Sequence, residues 1–421
     1  VRRPVLATLL FLAAVVFLWP VSAHAAAPAP PPVIDAGGHL VEGPFRAFVL
    51  ANGGLEVFGE PLSDAVPDAE LGAPVQYFAF ARLERHGERV LLTRLGSLAA
   101  HGREGEPPFQ WVAPDAPLAP GRVYVPESGH TLGGAFAWYH RSRGGAAILG
   151  LPISEEFAEA QPDGRTLLVQ YFERARLSYH PELAGTPGEI QRAPLGAWLA
   201  GLRLSPAQRA PGRPLALLGA GTISYPAGTA LGANIELAVS RLDGATLEPG
   251  ARLSFLAAVG EISRAAGYRP APAIVGGKVV ETVGGGVCAV STLLYRAAWF
   301  AGLPVPERRG HSLWLALFAD APGLEAAVVA PGQDLRVAND TGQRIYVVAT
   351  ARGGRATLAL WGRGDGRVTA VAAPLVRGDG PVEVVNSRTV RSAAGALLRR
   401  ERVVTRYQLP PAEDEAEAGG S

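Results

Sequence analysis

The sequence predicts an α+β fold: two small α+β repeats, then a mixed α+β domain and a short β-rich C-terminal segment. Three observations carry that prediction. A stretch near the N-terminus recurs roughly ninety residues later, as duplicated units do. A glycine-led helical pattern surrounds the single cysteine, Cys288. After it, runs of alternating apolar and polar residues separated by turn residues read as strands.

The chain has 421 residues and 48% hydrophobic content, enough for two or three domains with real cores. Its 39 basic and 38 acidic residues leave a formal charge of +1 and form no basic stripe, which argues against a nucleic-acid partner. At the N-terminus, Arg2 and Arg3 precede the uncharged run "PVLATLLFLAAVVFLW", and Ala23-His24-Ala25 follows as an A-x-A step. Residues 1–25 are therefore expected to be a secretory signal peptide, with an uncleaved anchor as the alternative. Either outcome places the remainder outside the cytoplasm, secreted or in the cell envelope, and peripheral to the membrane once the signal is removed.

The two repeats are expected at 36–110 and 125–202. "GHLVEGPFRAF" returns as "GHTLGGAFAWY" and "FGEPLSD" as "LGLPISE", both offset by 91; "QYFAFARLERH" returns as "QYFERARLSYH", offset by 94. The Gly-x-Pro steps read as turns. The "QYF" and "ARL" runs read as hairpin strands, and Phe45, Phe48, Phe136 and Tyr139 lie three apart on short preceding helices. These aromatics are expected in a core, the other reading being an exposed platform for stacking a ligand. The stretch "LGLPISEEF…DGRTLLVQYFERARLSYHP" resembles LGFP-type repeats, which implies association with a cell wall.

From 215 to 362 the texture changes. "ANIELAVSRLDG" predicts a helix with Asn234 as N-cap and Gly244 as its stop. "PGARLSF" predicts a strand, and the run from Asp334 to Gly362 a three-stranded meander. Two further strand-like runs occupy 368–410, and 411–421 forms an acidic tail expected to be disordered.

The chemistry gathers at "ETVGGGVCAVSTLLYRAAWF". Three glycines cannot extend a helix favourably, so the helix should begin near Val287. Val290, Leu293, Leu294, Ala297 and Ala301 form its inward stripe, with Cys288, Thr292, Tyr295 and Trp299 beside it. A helix N-terminus lowers a thiol's pKa and offers amides to an oxyanion. His311 is the only histidine beyond residue 180, and a cysteine with a histidine is the minimum set for thiol acyl transfer. A lone cysteine can equally be a small buried hydrophobe. One cysteine and one histidine cannot fill a zinc site, and the glycines lack the lysine of a phosphate-binding loop, so neither a metal nor a cofactor is expected.

"NIELAVSRLDGATLEPG", the block from "AGYRP" to "RRGHS", "APGLEAAV" and "DLRVANDTGQRIYV" follow one another in the order of the VanW family. The resemblance implies an exported or envelope protein acting on peptidoglycan stem peptides by L,D-transpeptidation. It implies Cys288 as nucleophile, His311 as general base and Glu325 as a carboxylate where the family commonly has Asp. Gly285, Gly286, Ser291, Thr292, Tyr295 and Arg308 fall at substrate-binding positions, and Arg308 would pair with a substrate carboxylate. The chain departs from the family at Ala289, where Gln is common, and at Arg309-Gly310, where His-Pro is common. The partner so implied is peptidoglycan or another cell-wall polymer. The rival expectation is a non-enzymatic peptidoglycan-binding or scaffolding protein with a structural cysteine.

Overall fold

A computed structural model describes residues 30–31, 33–275, 278–377 and 382–408. The expected signal peptide, its cleavage site and the acidic tail lie outside the described residues. The fold is mixed α+β, with no described helix long and apolar enough to cross a membrane.

The two similar stretches run through the same order of elements. In the first, strands Ile34–Ala36 and His39–Val41 pair, and helices Gly43–Ala51 and Gly54–Phe58 follow. Strands Val66–Asp68, Ala73–Tyr77, Arg82–His86 and Arg89–Leu92 then form an antiparallel meander before helix Leu95–Ala99. In the second, the pair is Arg122–Val125 with His130–Gly133 and the helices are Gly134–Ser142 and Gly145–Ile148. The meander Phe157–Ala160, Thr166–Tyr171, Arg176–Tyr179 and Ile190–Arg192 leads to helix Leu195–Arg203.

Each "QYF" segment explains itself locally. Gln76 is fully buried, and its Nε2 donates to the carbonyls of Leu40 (2.9 Å) and Ser63 (3.0 Å). Gln170 repeats the clasp on Thr131 (2.8 Å) and Ser154 (2.9 Å). The neighbouring Tyr77, Phe78, Tyr171 and Phe172 are buried. Phe45, Phe58 and Phe78 share one core with Phe136, Ile148 and Phe172, so the two units bury their apolar faces against each other.

Glycines fix that pairing. A Cβ on Gly96 would lie 1.8 Å from the Phe172 carbonyl oxygen, and one on Gly196 2.0 Å from that of Phe78. Each unit's last helix thus rests on the other unit's hairpin turn, and Ser97 N donates to Glu173 O (3.0 Å) as Ala197 N does to Ala79 O (3.1 Å). The arrangement is reciprocal.

Beyond residue 215, strands Ala216–Ser224, Arg355–Gly362, Ile345–Arg352 and Thr246–Leu247 lie in that order in one antiparallel sheet. Helix Val287–Phe300 crosses it against bare backbone. A Cβ on Gly219 or Gly221 would come within 2.3–2.4 Å of the Ala297 or Leu293 carbonyl, so these glycines admit the helix. The meander expected between Asp334 and Gly362 is only partly formed. Arg336–Ala338 pairs with Arg252–Ser254 in a separate ribbon, leaving a two-stranded hairpin in the main sheet. The expected N-cap is also corrected. Thr229 caps helix Ala230–Leu242 by accepting from Gly232 N (3.0 Å), and Asn234 lies inside the helix, fully buried.

The C-terminal strands Val382–Arg391 and Leu397–Tyr407 pair along their length, flanked by Val368–Val371 and Leu375–Arg377. They cap the cysteine helix. The buried Arg388 donates to the carbonyls of Ala298 (3.1 Å), Trp299 (2.5 Å) and Leu303 (2.6 Å). A guanidinium at the C-terminal end of a helix answers both its unpaired carbonyls and its negative dipole end.

Candidate functional site

Helix Val287–Phe300 starts where the glycines place it. Gly286 takes the cap position at φ +98°, and Gly284 also has positive φ, at +86°. Gly285 passes so close to the Pro270–Val275 strand that a Cβ would sit 2.2 Å from the Ala271 carbonyl oxygen. Asn234 holds this approach: its Nδ2 donates to Gly285 O and Arg269 O, both at 2.9 Å, while its Oδ1 accepts from Arg269 N (2.8 Å). Gly285 and Gly286 therefore shape the helix entrance.

A one-sided apolar stripe was expected, yet the helix is buried from Ala289 to Trp299. Its polar residues are buried because an extended segment, 323–328, lies along them. The Val328 amide donates to the Cys288 sulfur (3.4 Å) and the thiol donates to the Val328 carbonyl (3.5 Å). Ser291 Oγ donates to Ala326 O (2.6 Å) and Thr292 Oγ1 accepts from Ala326 N (3.1 Å). Arg296 Nε donates to Leu324 O (3.0 Å). Four residues of helix rise about 6.0 Å and two residues of extended chain about 6.6 Å. Positions 288, 292 and 296 can therefore meet residues 328, 326 and 324 in turn.

The segment's other edge is held from the following loop. Arg308 donates through Nε to Glu325 O (2.7 Å), and through Nη2 to Gly323 O (2.7 Å) and Thr405 Oγ1 (3.0 Å). Ala327 N donates to Arg309 O (2.8 Å). Alternate peptide groups of an extended chain point to opposite edges, so each side grips every second residue. Arg308 thus binds this chain's own backbone, and its guanidinium lies over the Tyr295 ring at 4.9 Å.

The expected catalytic groups lie around this clasp with no hydrogen bond to one another among the described residues. The His311 ring stacks on Phe318 at 5.0 Å, and no hydrogen bond joins it to Cys288 among the described residues. Burial, with the Arg308 charge beside it, pushes the imidazole down to about 4. Burial pushes the Cys288 thiol up, which the Val328 hydrogen bond only partly offsets. Val287 N and Ala289 N already donate to Gly284 O (3.1 Å) and Gly286 O (2.9 Å), so two of the amides expected to hold an oxyanion have partners. Glu325 is fully buried; one carboxyl oxygen accepts from the Tyr407 hydroxyl. Burial raises its carboxyl, against the lowering effects of Tyr407, Arg308 and Arg296. Tyr295 is pushed up to about 12, chiefly by burial.

Among the buried polar atoms here without a hydrogen-bond partner are Glu325 Oε2, His311 Nδ1, the Tyr295 hydroxyl and Trp299 Nε1. Such groups are rare, because each left unpaired costs about 1–3 kcal/mol. Glu325 also lines a crevice with Trp314, Phe318 and Tyr407 that is too narrow to admit water. No group of three or more metal-ligating side chains comes together among the described residues.

Two participants escaped the sequence reading. Arg296 lies one helical turn beyond Thr292; it is buried and ion-paired to Asp320 at 2.9 Å. Tyr407 lies far along the chain in a strand pattern, with no local signal tying it to Glu325.

The model of the family described as VanW like protein matches residues 231–361, which contain the whole glycine–cysteine block and the clasped segment. The uncharacterized protein YoaR of Bacillus subtilis is 36% identical over 128 residues, covering 30% of this chain and 42% of the relative. The vancomycin B-type resistance protein VanW of Enterococcus faecalis is 29% identical over 116 residues, 26% of this chain and 40% of the relative. The chain thus spans about two fifths of each relative's length. No solved structure matches. The cysteine helix and its clasped segment lie inside the matched region, while the edge strand Ala216–Ser224 beneath the helix precedes it; residues 231–361 are a VanW-like domain.

Proposed function

We propose that the chain is an exported, glycopeptide-resistance-related cell-wall protein whose VanW-like domain carries out cysteine-dependent acyl transfer on peptidoglycan stem peptides. The observation that carries this reading is the set of unpartnered polar atoms, Glu325 Oε2, His311 Nδ1 and the Tyr295 hydroxyl, beside the segment that covers the only thiol. A buried polar group without a partner calls for an explanation, and a second arrangement that supplies one is such an explanation. In the reaction, His311 takes the Cys288 proton as the sulfur attacks a stem-peptide carbonyl. The C–N bond breaks, and the departing D-amino acid takes that proton on its amine. The acceptor stem's amine then attacks the thioester, forms the new amide and returns the proton to sulfur. Val328 must leave the sulfur first, since a thiol that both donates and accepts there is in its protonated form. The relative's name as a vancomycin resistance protein supports the cell-wall setting.

A second reading has its own observation. The Val328 clasp and the raised thiol suit a cysteine that only packs, in a protein that binds or scaffolds the wall. Two measurements on the purified protein separate the readings. Incubation with tetrapeptide muropeptides should give cross-linked or exchanged products that Cys288→Ala abolishes. Alkylation of Cys288 near neutral pH should accelerate in the presence of stem peptide. Absent products and slow labelling at every pH, with or without peptide, leave the structural cysteine.

A further inference from the structure

The junction between the two N-terminal units holds a second site, remote from the cysteine helix in sequence and needing nothing from it. A cavity of about 550 Å³ is lined by Trp111, Gln110, Glu104, Glu127, Ser128 and Glu173, among others. Trp111 is 84% exposed, the most exposed of the large hydrophobic residues among those described.

That exposure is built. The connecting segment is fastened on both sides of the indole. Before it, Glu155 N donates to Pro108 O (2.7 Å) and Phe109 packs edge-on against Phe157 and Tyr171. After it, Val112 N donates to Gly129 O (2.9 Å). The base of the indole lies close to Gly129, where a Cβ would come 3.0 Å from Trp111 Cγ; this glycine also has φ +72°, so both space and backbone favour its lacking a side chain. The ring is therefore held near its base and leaves most of its surface open beside the cavity.

We propose that this cavity binds a neutral pyranose oligosaccharide, with one sugar ring stacked on Trp111. A pyranose has an apolar C–H face and a hydroxyl rim, which suits a flat amphipathic ring ringed by hydrogen-bonding groups. Gln110, Ser128 and Glu127 supply that polar surround. The acidic rim disfavours an anionic polymer. A quaternary ammonium ligand is recognised best by several aromatic faces around it. Here Phe109 is buried and already faces the Arg103 guanidinium at 4.9 Å, which leaves a single open ring. Glu173 lies 3.6 Å from Arg94 and 3.7 Å from Arg174, so part of the negative charge is already answered. This goes beyond the acyl-transfer reading and holds whether or not Cys288 is a nucleophile.

The test is calorimetric titration of the whole protein with chitotetraose and, separately, cellotetraose. Saturable binding of either is expected, weakened at least about tenfold, or roughly 1.4 kcal/mol, in Trp111→Ala. Trp111→Phe should keep part of it, and Gly129→Ala should lose it by displacing the ring. Trp138→Ala, which removes another exposed tryptophan, should bind as the parent does. Matching thermal melts of the Trp111 variants exclude misfolding. No binding of either sugar, equal binding by Trp111→Ala, or saturable binding of choline in place of sugar overturns the proposal.

Discussion

In the N-terminal units, one glutamine amide per unit ties two carbonyls, and the same clasp occurs twice, at Gln76 and Gln170. In the VanW-like domain, four side chains of one helix tie an extended segment, and the arrangement occurs once. The first clasp is neutral in itself, although the same units are also tied by Arg192, which donates to the carbonyls of Val57 and Phe80 at 2.9 Å. The second clasp is itself crossed by charged residues, Arg296, Arg308 and Glu325. The likeness of the two units supplies an internal control: what recurs with the same partners is architecture. The cysteine region has no second copy against which to separate architecture from chemistry.

The largest expected effect tests whether the helix clasp is the domain's main fastening. Arg296→Met keeps most of the aliphatic bulk but strands the carbonyls of Leu324 and Thr222, which Arg296 meets at 3.0 and 3.1 Å. At about 1–3 kcal/mol for each carbonyl left unpaired, the loss should reach about 4 kcal/mol in urea unfolding. A loss below about 1 kcal/mol would place the fastening elsewhere.

A smaller effect tests the reciprocity of the N-terminal pair. Gly96→Ala and Gly196→Ala each force a methyl against a carbonyl oxygen in the opposite unit, so each should cost about 2–3 kcal/mol as overpacking does. The two should agree within about 0.5 kcal/mol, because the contacts are the same contact made twice. A large cost at one site alone breaks the symmetry.

The effect that is smallest per step of the measurement, here per pH unit, concerns the charging of a buried group beside the second clasp. His311 has its pKa depressed from 6.5 to about 4. The unfolded chain therefore takes up a proton that the folded one refuses as pH falls through that window. Stability from this group is complete above 6.5, declines between 6.5 and 4, and falls no further below. The slope cannot exceed about 1.4 kcal/mol per pH unit for one proton. Denaturant titrations at several pH values should show a shallower decline in His311→Gln; identical slopes would mean the imidazole charges freely in the folded protein.

Much of the α+β fold was legible because it is written in short-range pattern. The "QYF" and "ARL" runs alternate, the glycines at 284–286 stop one element and the apolar spacing after them starts another. Asn234 was misread because a buried Asn and a capping Asn look alike in sequence; only the position of Arg269 and Gly285 makes it a clasp. Arg336–Ala338 was assigned to the wrong sheet because alternation names a strand but not its partner.

By itself, the sequence determined the helix at Val287, its glycine-shaped entrance and the VanW resemblance of the region around them, expected over 215–362 and matched over 231–361. Those features rest on backbone preference and on periodicity, which neighbouring residues decide. Tertiary structure alone decided what the polar stripe of that helix faces. Cys288, Ser291, Thr292 and Arg296 meet residues 324–328, and Glu325 meets Tyr407, across separations of 28 to 82 residues. A hydrogen bond or a desolvated charge depends on which groups pack together in space, and spacing along the chain carries no record of it.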